Sequence, residues 1–184
     1  MRSRAAVLDA AAAMLDDRPD ASVEAIAAAA GVTRQTVYAH FPSREKLLYA
    51  VLDRITEEAV AAMDAAEPDA GPAADALLRM LDAAAGPPGR HGALLQRIGA
   101  LPVSADEDRT RHTPVADRIE AVLRRGRRGG EFDTGLPVPW LVTGVIALAH
   151  AAGAERAAGR LTAPAARKAL HESVLRLVGA AEPR

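Results

Sequence analysis

SVEAIAAAAGVTRQTVYAHFPSREKLL, residues 22–48, decides the fold. Val23, Ile26, Ala27 and Ala30 recur at the three-and-four spacing of an apolar helical stripe, and Ser22 stands in the N-cap position. Gly31 then ends this helix, because glycine takes up the left-handed backbone that a Cβ resists, and the chain reverses before Thr33 caps the next helix. That next helix, residues 34–40, is short and polar. Its core contribution is Val37, with Phe41 just beyond, while Arg34, Gln35, Thr36, Tyr38 and His40 crowd its surface. A helix below about 12–15 residues is marginal in water by itself, so its polar surface calls for a reason outside its own packing. Two short helices around a glycine turn, leading through Pro42 and Ser43 into a third, predict a helix-turn-helix that reads DNA.

The run GVTRQTVYAHFPSREKLL resembles the recognition-helix signature of the tetracycline-repressor (TetR) family of bacterial transcriptional regulators. Ala27, Gly31, Val37, Tyr38, His40, Phe41, Pro42 and Ser43 stand where that family's pattern has them, over about the first quarter of the chain. The family often has glycine where Gln35 stands and a larger residue where Ala39 stands. With the second helix in the major groove, its N-terminal residues Arg34, Gln35 and Thr36 meet base edges. Arginine suits guanine O6 and N7, and glutamine suits adenine N6 and N7. The resemblance implies phosphate contacts for Thr33, Tyr38 and His40. Arg44 and Lys46, in the first turn of the following helix, place charge beside another phosphate, and Ser22 adds a contact at its own helix start. The competing reading of each is a solvated polar face, and for Tyr38 and His40 partial core packing.

The chain has 184 residues, a net charge of −1, 49% hydrophobic residues and 3% aromatic ones. Alanine dominates the apolar set and alternating β-branched runs are missing, which points to an all-α fold. Residues 1–55 hold seven basic and seven acidic side chains, so nucleic-acid binding rests on placement rather than on net charge. The absence of cysteine excludes disulfides and thiol chemistry and fits a reducing compartment. Arg2 and Arg4 are followed by no apolar signal segment, so a cytoplasmic location is expected. His40, His91, His112, His150 and His171 show no metal-ligand spacing, and no phosphate-binding glycine loop is present. An enzyme, a metal and a cofactor are therefore not expected.

Along the chain, residues 4–16 read as a first helix with Leu8, Ala12 and Leu15 on one face, and residues 43–66 as a long helix stopped by the breaker at 67–72. Further helices are expected at 73–85, 93–100 and 115–125, with a polar, mobile loop over 102–114. Arg124, Arg125, Arg127 and Arg128 read as a cluster that complements the helix macrodipole and caps carbonyls, with contact to DNA as the alternative. Residues 134–154 carry no charge, long enough to raise the question of a membrane span, which needs about 20 apolar residues. Pro137, Pro139, Gly144, His150 and Gly153 argue instead for a helix buried by protein, with one side in the core and the other on a partner subunit. The last helix covers 165–178. This organisation divides the chain into a helix-turn-helix domain, 1–46, and a helical ligand-binding and dimerisation domain, 47–184. The resemblance implies a homodimer through the last two helices of each subunit. It also implies a small-molecule effector that enters the body and shifts the long helix. An uncharged body helix favours an apolar effector, with Trp140 and Thr143 as candidates for the pocket wall and core packing as the rival role of Trp140. The function expected is that of a ligand-responsive homodimeric repressor on a palindromic DNA operator. The alternatives are a constitutive dimeric DNA-binding protein without an effector and a helical small-molecule-binding protein.

Overall fold

The computed structural model describes residues 2–18, 20–86, 105–132 and 135–180. Among these residues the backbone forms eight α-helices and no strand: α1 (Arg2–Asp17), α2 (Val23–Ala29), α3 (Arg34–His40), α4 (Arg44–Ala65), α5 (Ala73–Ala85), α6 (Ala105–Arg128), α7 (Val138–Ala157) and α8 (Ala163–Leu177). The fold is all-α, as composition predicts. The described residues up to Thr56 form one compact unit and those from Glu57 onward form another.

The first unit closes over Val7, Leu8, Ala11 and Leu15 of α1, Val23, Ile26 and Ala27 of α2, Val37, Phe41, and Leu47, Leu48 and Val51 of α4. Leu8, Leu15, Val23, Ile26 and Ala27 belong to the stripes read from the sequence, Ala12 and Ala30 are only partly buried, and Val7 and Ala11 take the α1 face beside them; each helix has one face that water disfavours. The glycine turn forms as expected. Gly31 sits at φ +67°, Gly31 N–H donates to the Ala28 carbonyl and Val32 N–H to the Ala27 carbonyl, which satisfies the carbonyls left at the end of α2.

The second unit packs Met63 of α4 with Leu77, Met80 and Leu81 of α5, Ile119, Val122 and Leu123 of α6, Leu141, Val142 and Val145 of α7, and Leu170 and Val174 of α8. The turn at residues 66–72 is held by side chains from elsewhere. Arg79 donates to the Ala66, Glu67 and Ala70 carbonyls, Arg125 donates to those of Gly71 and Pro68, and the Glu131 carboxylate accepts from the Ala73 and Ala74 amides at the start of α5. Arg118 adds a bidentate pair with Asp64, both bonds 2.7 Å. The arginine cluster thus binds mainly carbonyls and carboxylates, with Arg124 on Glu120 and Arg127 on the Leu136 carbonyl.

Two expectations need correction. Residues 105–114 are helical rather than a mobile loop, and α6 passes through Pro114. One missing N–H does not end a helix that Ile119, Val122 and Leu123 anchor in the core a turn later. Trp140 does not pack in the core: it is 62% exposed, beside Leu136 at 43%. Within this unit α7 buries Val138, Leu141, Val142 and Val145 and leaves its opposite face open, although by length and composition alone it is apolar enough to cross a membrane. The expected helix at 93–100 lies outside the described residues.

Candidate nucleic-acid interface

The α2–α3 pair is capped by its own sequence. Ser22 Oγ accepts from the Ala25 amide at 3.2 Å, and Thr33 Oγ1 accepts from the Thr36 amide at 3.1 Å and pairs with Thr36 Oγ1 at 2.9 Å. Each cap satisfies a donor that a helix start leaves open. Val37 is the one fully buried residue of α3, at 1% exposure, and it fixes which way the rest of the helix faces. Thr33, Arg34, Gln35 and Ala39 are exposed, and Thr36, Tyr38 and His40 are half-buried.

Arg34 is engaged on two sides. Its Nη1 lies 2.6 Å from Glu24 Oε1 of α2, and its guanidinium carbon lies 5.3 Å from the centre of the Tyr38 ring. Its own backbone amide, the Ser22 hydroxyl and the Arg34 charge hold the Glu24 carboxyl below the ordinary carboxylate value against some desolvation. Tyr38 first and Glu24 next raise Arg34.

The structure distributes the other candidates between surface and scaffold. His40 turns Nε2 to Ser3 Oγ of α1 at 2.8 Å, so this ring bridges α3 to α1. Arg44 donates Nη1 to the Ala21 carbonyl and ties the start of α4 to the segment before α2. Lys46 stays exposed, its Nζ 5.8 Å from the Tyr49 ring centre, and its amide donates to Ser43 Oγ, which caps α4. Two residues that the motif reading passed over contact residues of the motif. Arg4 lies over the Phe41 ring at 5.2 Å, beside His40, and Glu24 pairs with Arg34. Arg4 belongs to an N-terminal helix that the motif does not include, so only the packing of α1 on α3 brings it here.

In the second unit, Trp140 and Thr143 share the exposed face of α7, and Thr143 Oγ1 donates to the Pro139 carbonyl at 3.0 Å. Within this unit they are exposed and do not join its apolar core. The polar contact of note is at Asp82, whose carboxylate accepts from Arg167 at 2.9 and 2.5 Å and lies 2.8 Å from His171 Nε2. His112 and His150 stand edge to face at 5.1 Å. Among the described residues no three His, Cys, Asp or Glu side chains group as metal ligands.

Comparison with known proteins agrees with this fold. The family model of bacterial regulatory proteins, tetR family, matches residues 7–51. The chain is 43% identical over 81 residues to the HTH-type transcriptional repressor LfrR of Mycolicibacterium smegmatis, a stretch that covers 44% of this chain and 43% of LfrR. It is 45% identical over 56 residues to the HTH-type transcriptional regulator EthR of Mycobacterium tuberculosis, covering 29% of this chain and 26% of EthR. The aligned stretch thus spans less than half the length of these curated relatives. The crystal structure of LfrR from Mycobacterium smegmatis in complex with proflavine superposes with a TM-score of 0.69 at 29% identity, over 94% of each chain.

Proposed function

We propose, from the match of its N-terminal domain to the tetR family of bacterial regulatory proteins, that the chain is a member of that family and a homodimeric, ligand-responsive repressor of transcription. The observation that carries the reading is α3 itself. It buries Val37 alone and presents Thr33, Arg34 and Gln35 outward from a capped, correctly turned helix. In the major groove Arg34, Gln35 and Thr36 read base edges, and Ser22, Thr33, Tyr38 and Lys46 hold phosphates, joined by Arg4. His40 and Arg44 position the reading helix and the start of α4. The first compact unit serves as the DNA-binding domain, its end nearer Thr56 than the 46/47 division read from the sequence because Leu47, Leu48 and Val51 close its core, and the second unit serves as the ligand-binding and dimerisation domain.

Two copies joined through α7 and α8 place two reading helices on a palindromic operator, with half-sites about one helical turn, ~34–36 Å, apart. The open face of α7, with Trp140 and Thr143, supports that seam. The relative solved with proflavine supports a small-molecule effector in the body, and the uncharged run over residues 134–154, most of it in α7, favours an apolar one. Such an effector acts only by binding one conformation better than another. A cytoplasmic location follows from the DNA target.

The test is selection of genomic fragments by the purified protein over a range of salt, followed by footprinting. A symmetric footprint that survives random competitor, and that a small molecule releases, is expected. Binding that never exceeds random DNA refutes the repressor reading. Symmetric binding that no ligand releases reduces the body to a dimerisation module.

A further inference from the structure

We propose that Glu24 is a specificity-determining residue acting through Arg34: it cancels the charge that this arginine offers to any DNA while leaving its directional donors for an operator base. The inference rests on the reading of α3 as the DNA-contacting helix. Sequence-independent affinity grows with the number of phosphates that cationic side chains neutralise. An unpartnered arginine at the exposed start of α3 adds one such cation wherever the protein lands. Here the guanidinium is paired at 2.6 Å with a carboxylate that is itself more than half exposed, at 54%, on the same surface.

The pair is nearly neutral as seen by a polyanion. The guanidinium nevertheless has five N–H donors, and one contact to Glu24 leaves a fork that fits guanine O6 and N7 together. The Tyr38 ring, 5.3 Å away, limits the orientations of that fork. Glu24 remains ionised at neutral pH, because its own amide and Ser22 favour the carboxylate. The arrangement therefore subtracts from the attraction common to all DNA and keeps the hydrogen bonds that depend on sequence. Neither residue is part of the apolar core of the unit, so replacing either spares the fold.

The experiment measures binding of the full chain, by fluorescence anisotropy across a potassium chloride series, to its selected operator and to a scrambled duplex of equal length. Wild type, Glu24→Gln, Arg34→Gln and the double variant are compared, with thermal melts to verify folding. Glu24→Gln is expected to bind the scrambled duplex severalfold tighter, with a salt slope steeper by about 0.9, and to lose operator preference accordingly. In the Arg34→Gln background the same change is expected to do nothing. An unchanged slope and preference in Glu24→Gln overturns the proposal. So does an equal gain in both backgrounds, which means that the carboxylate simply repels phosphates. A wild-type protein that does not prefer its operator overturns the α3 reading itself, and the wild-type arm alone reveals it.

Discussion

Replacing Val37 by alanine tests how α3 is held, without touching any residue proposed to face DNA. Val37 is 1% exposed and is the helix's one buried residue, packed in the cluster that holds Val7, Ile26, Phe41 and Leu47. The substitution removes two methyl groups, worth about 1.6 kcal/mol at ~0.8 kcal/mol per buried carbon. The cavity left behind raises the loss to about 2–3 kcal/mol, because the four helix elements around the site collapse only partly. The Thr33 cap contributes about 1 kcal/mol and cannot offset this. A seven-residue helix has no reserve of its own, so the loss appears first as local opening of α3. Hydrogen exchange read by mass spectrometry on peptides covering residues 34–40 is expected to accelerate by one to two orders of magnitude, with a matching fall in the urea midpoint. Base preference measured on operator variants is expected to stay that of wild type, since Val37 points inward. Exchange and stability within about 0.5 kcal/mol of wild type refute the claim that Val37 anchors the reading helix.

Gly126→Ala pits helix propensity against space. The new methyl gains at most about 1 kcal/mol, but it overlaps the buried Phe132 ring and costs about 1–3 kcal/mol in repacking, so chemical denaturation is expected to show a net loss, and a gain refutes the fit. At Asp82, partial burial pushes the carboxyl up, but the hydrogen bonds and charges of Arg167 and His171 outweigh it and hold the group below its ordinary value. Its stabilisation is therefore present above the unfolded carboxylate value near ~3.9 and lost as pH falls through the lower folded value. Asp82→Asn is expected to flatten the acid side of the stability curve measured by thermal melts from pH 2 to 6, and an unchanged slope there removes the linkage. Trp140, the chain's single tryptophan, lies 62% exposed on the α7 face proposed as the dimer seam. Dilution through the dimer–monomer transition is expected to shift its emission to the red, and an emission that stays constant while sedimentation shows dissociation places the seam elsewhere.

The helix-turn-helix was legible because its determinants are local. Ser22, Gly31 and Thr33 act within four residues of themselves, and the apolar stripes of α1, α2 and α4 have the helical period. Periodicity misled at residues 105–114, where polar composition and Pro114 read as a loop although the helix is secured by apolar residues downstream. The candidate site was read from residue types and their positions in the motif, and what each side chain does there was only partly visible. Arg34 is engaged by Glu24, ten positions earlier, and His40 by Ser3, thirty-seven positions earlier.

By itself, then, the sequence determined the helical class, the caps, the glycine turn and the inward direction of Val37, because hydrogen bonds and apolar spacing within a few residues suffice for these. The tertiary structure alone decided that Arg44 ends on the Ala21 carbonyl and that Arg125 ends on carbonyls at Gly71 and Pro68. It alone decided that Trp140 faces outward while Leu141 and Val142 face in. A helix that is apolar all round has no stripe to orient it, and a long arginine has many carbonyls within reach. In both cases the choice belongs to whichever neighbours the packing brings near.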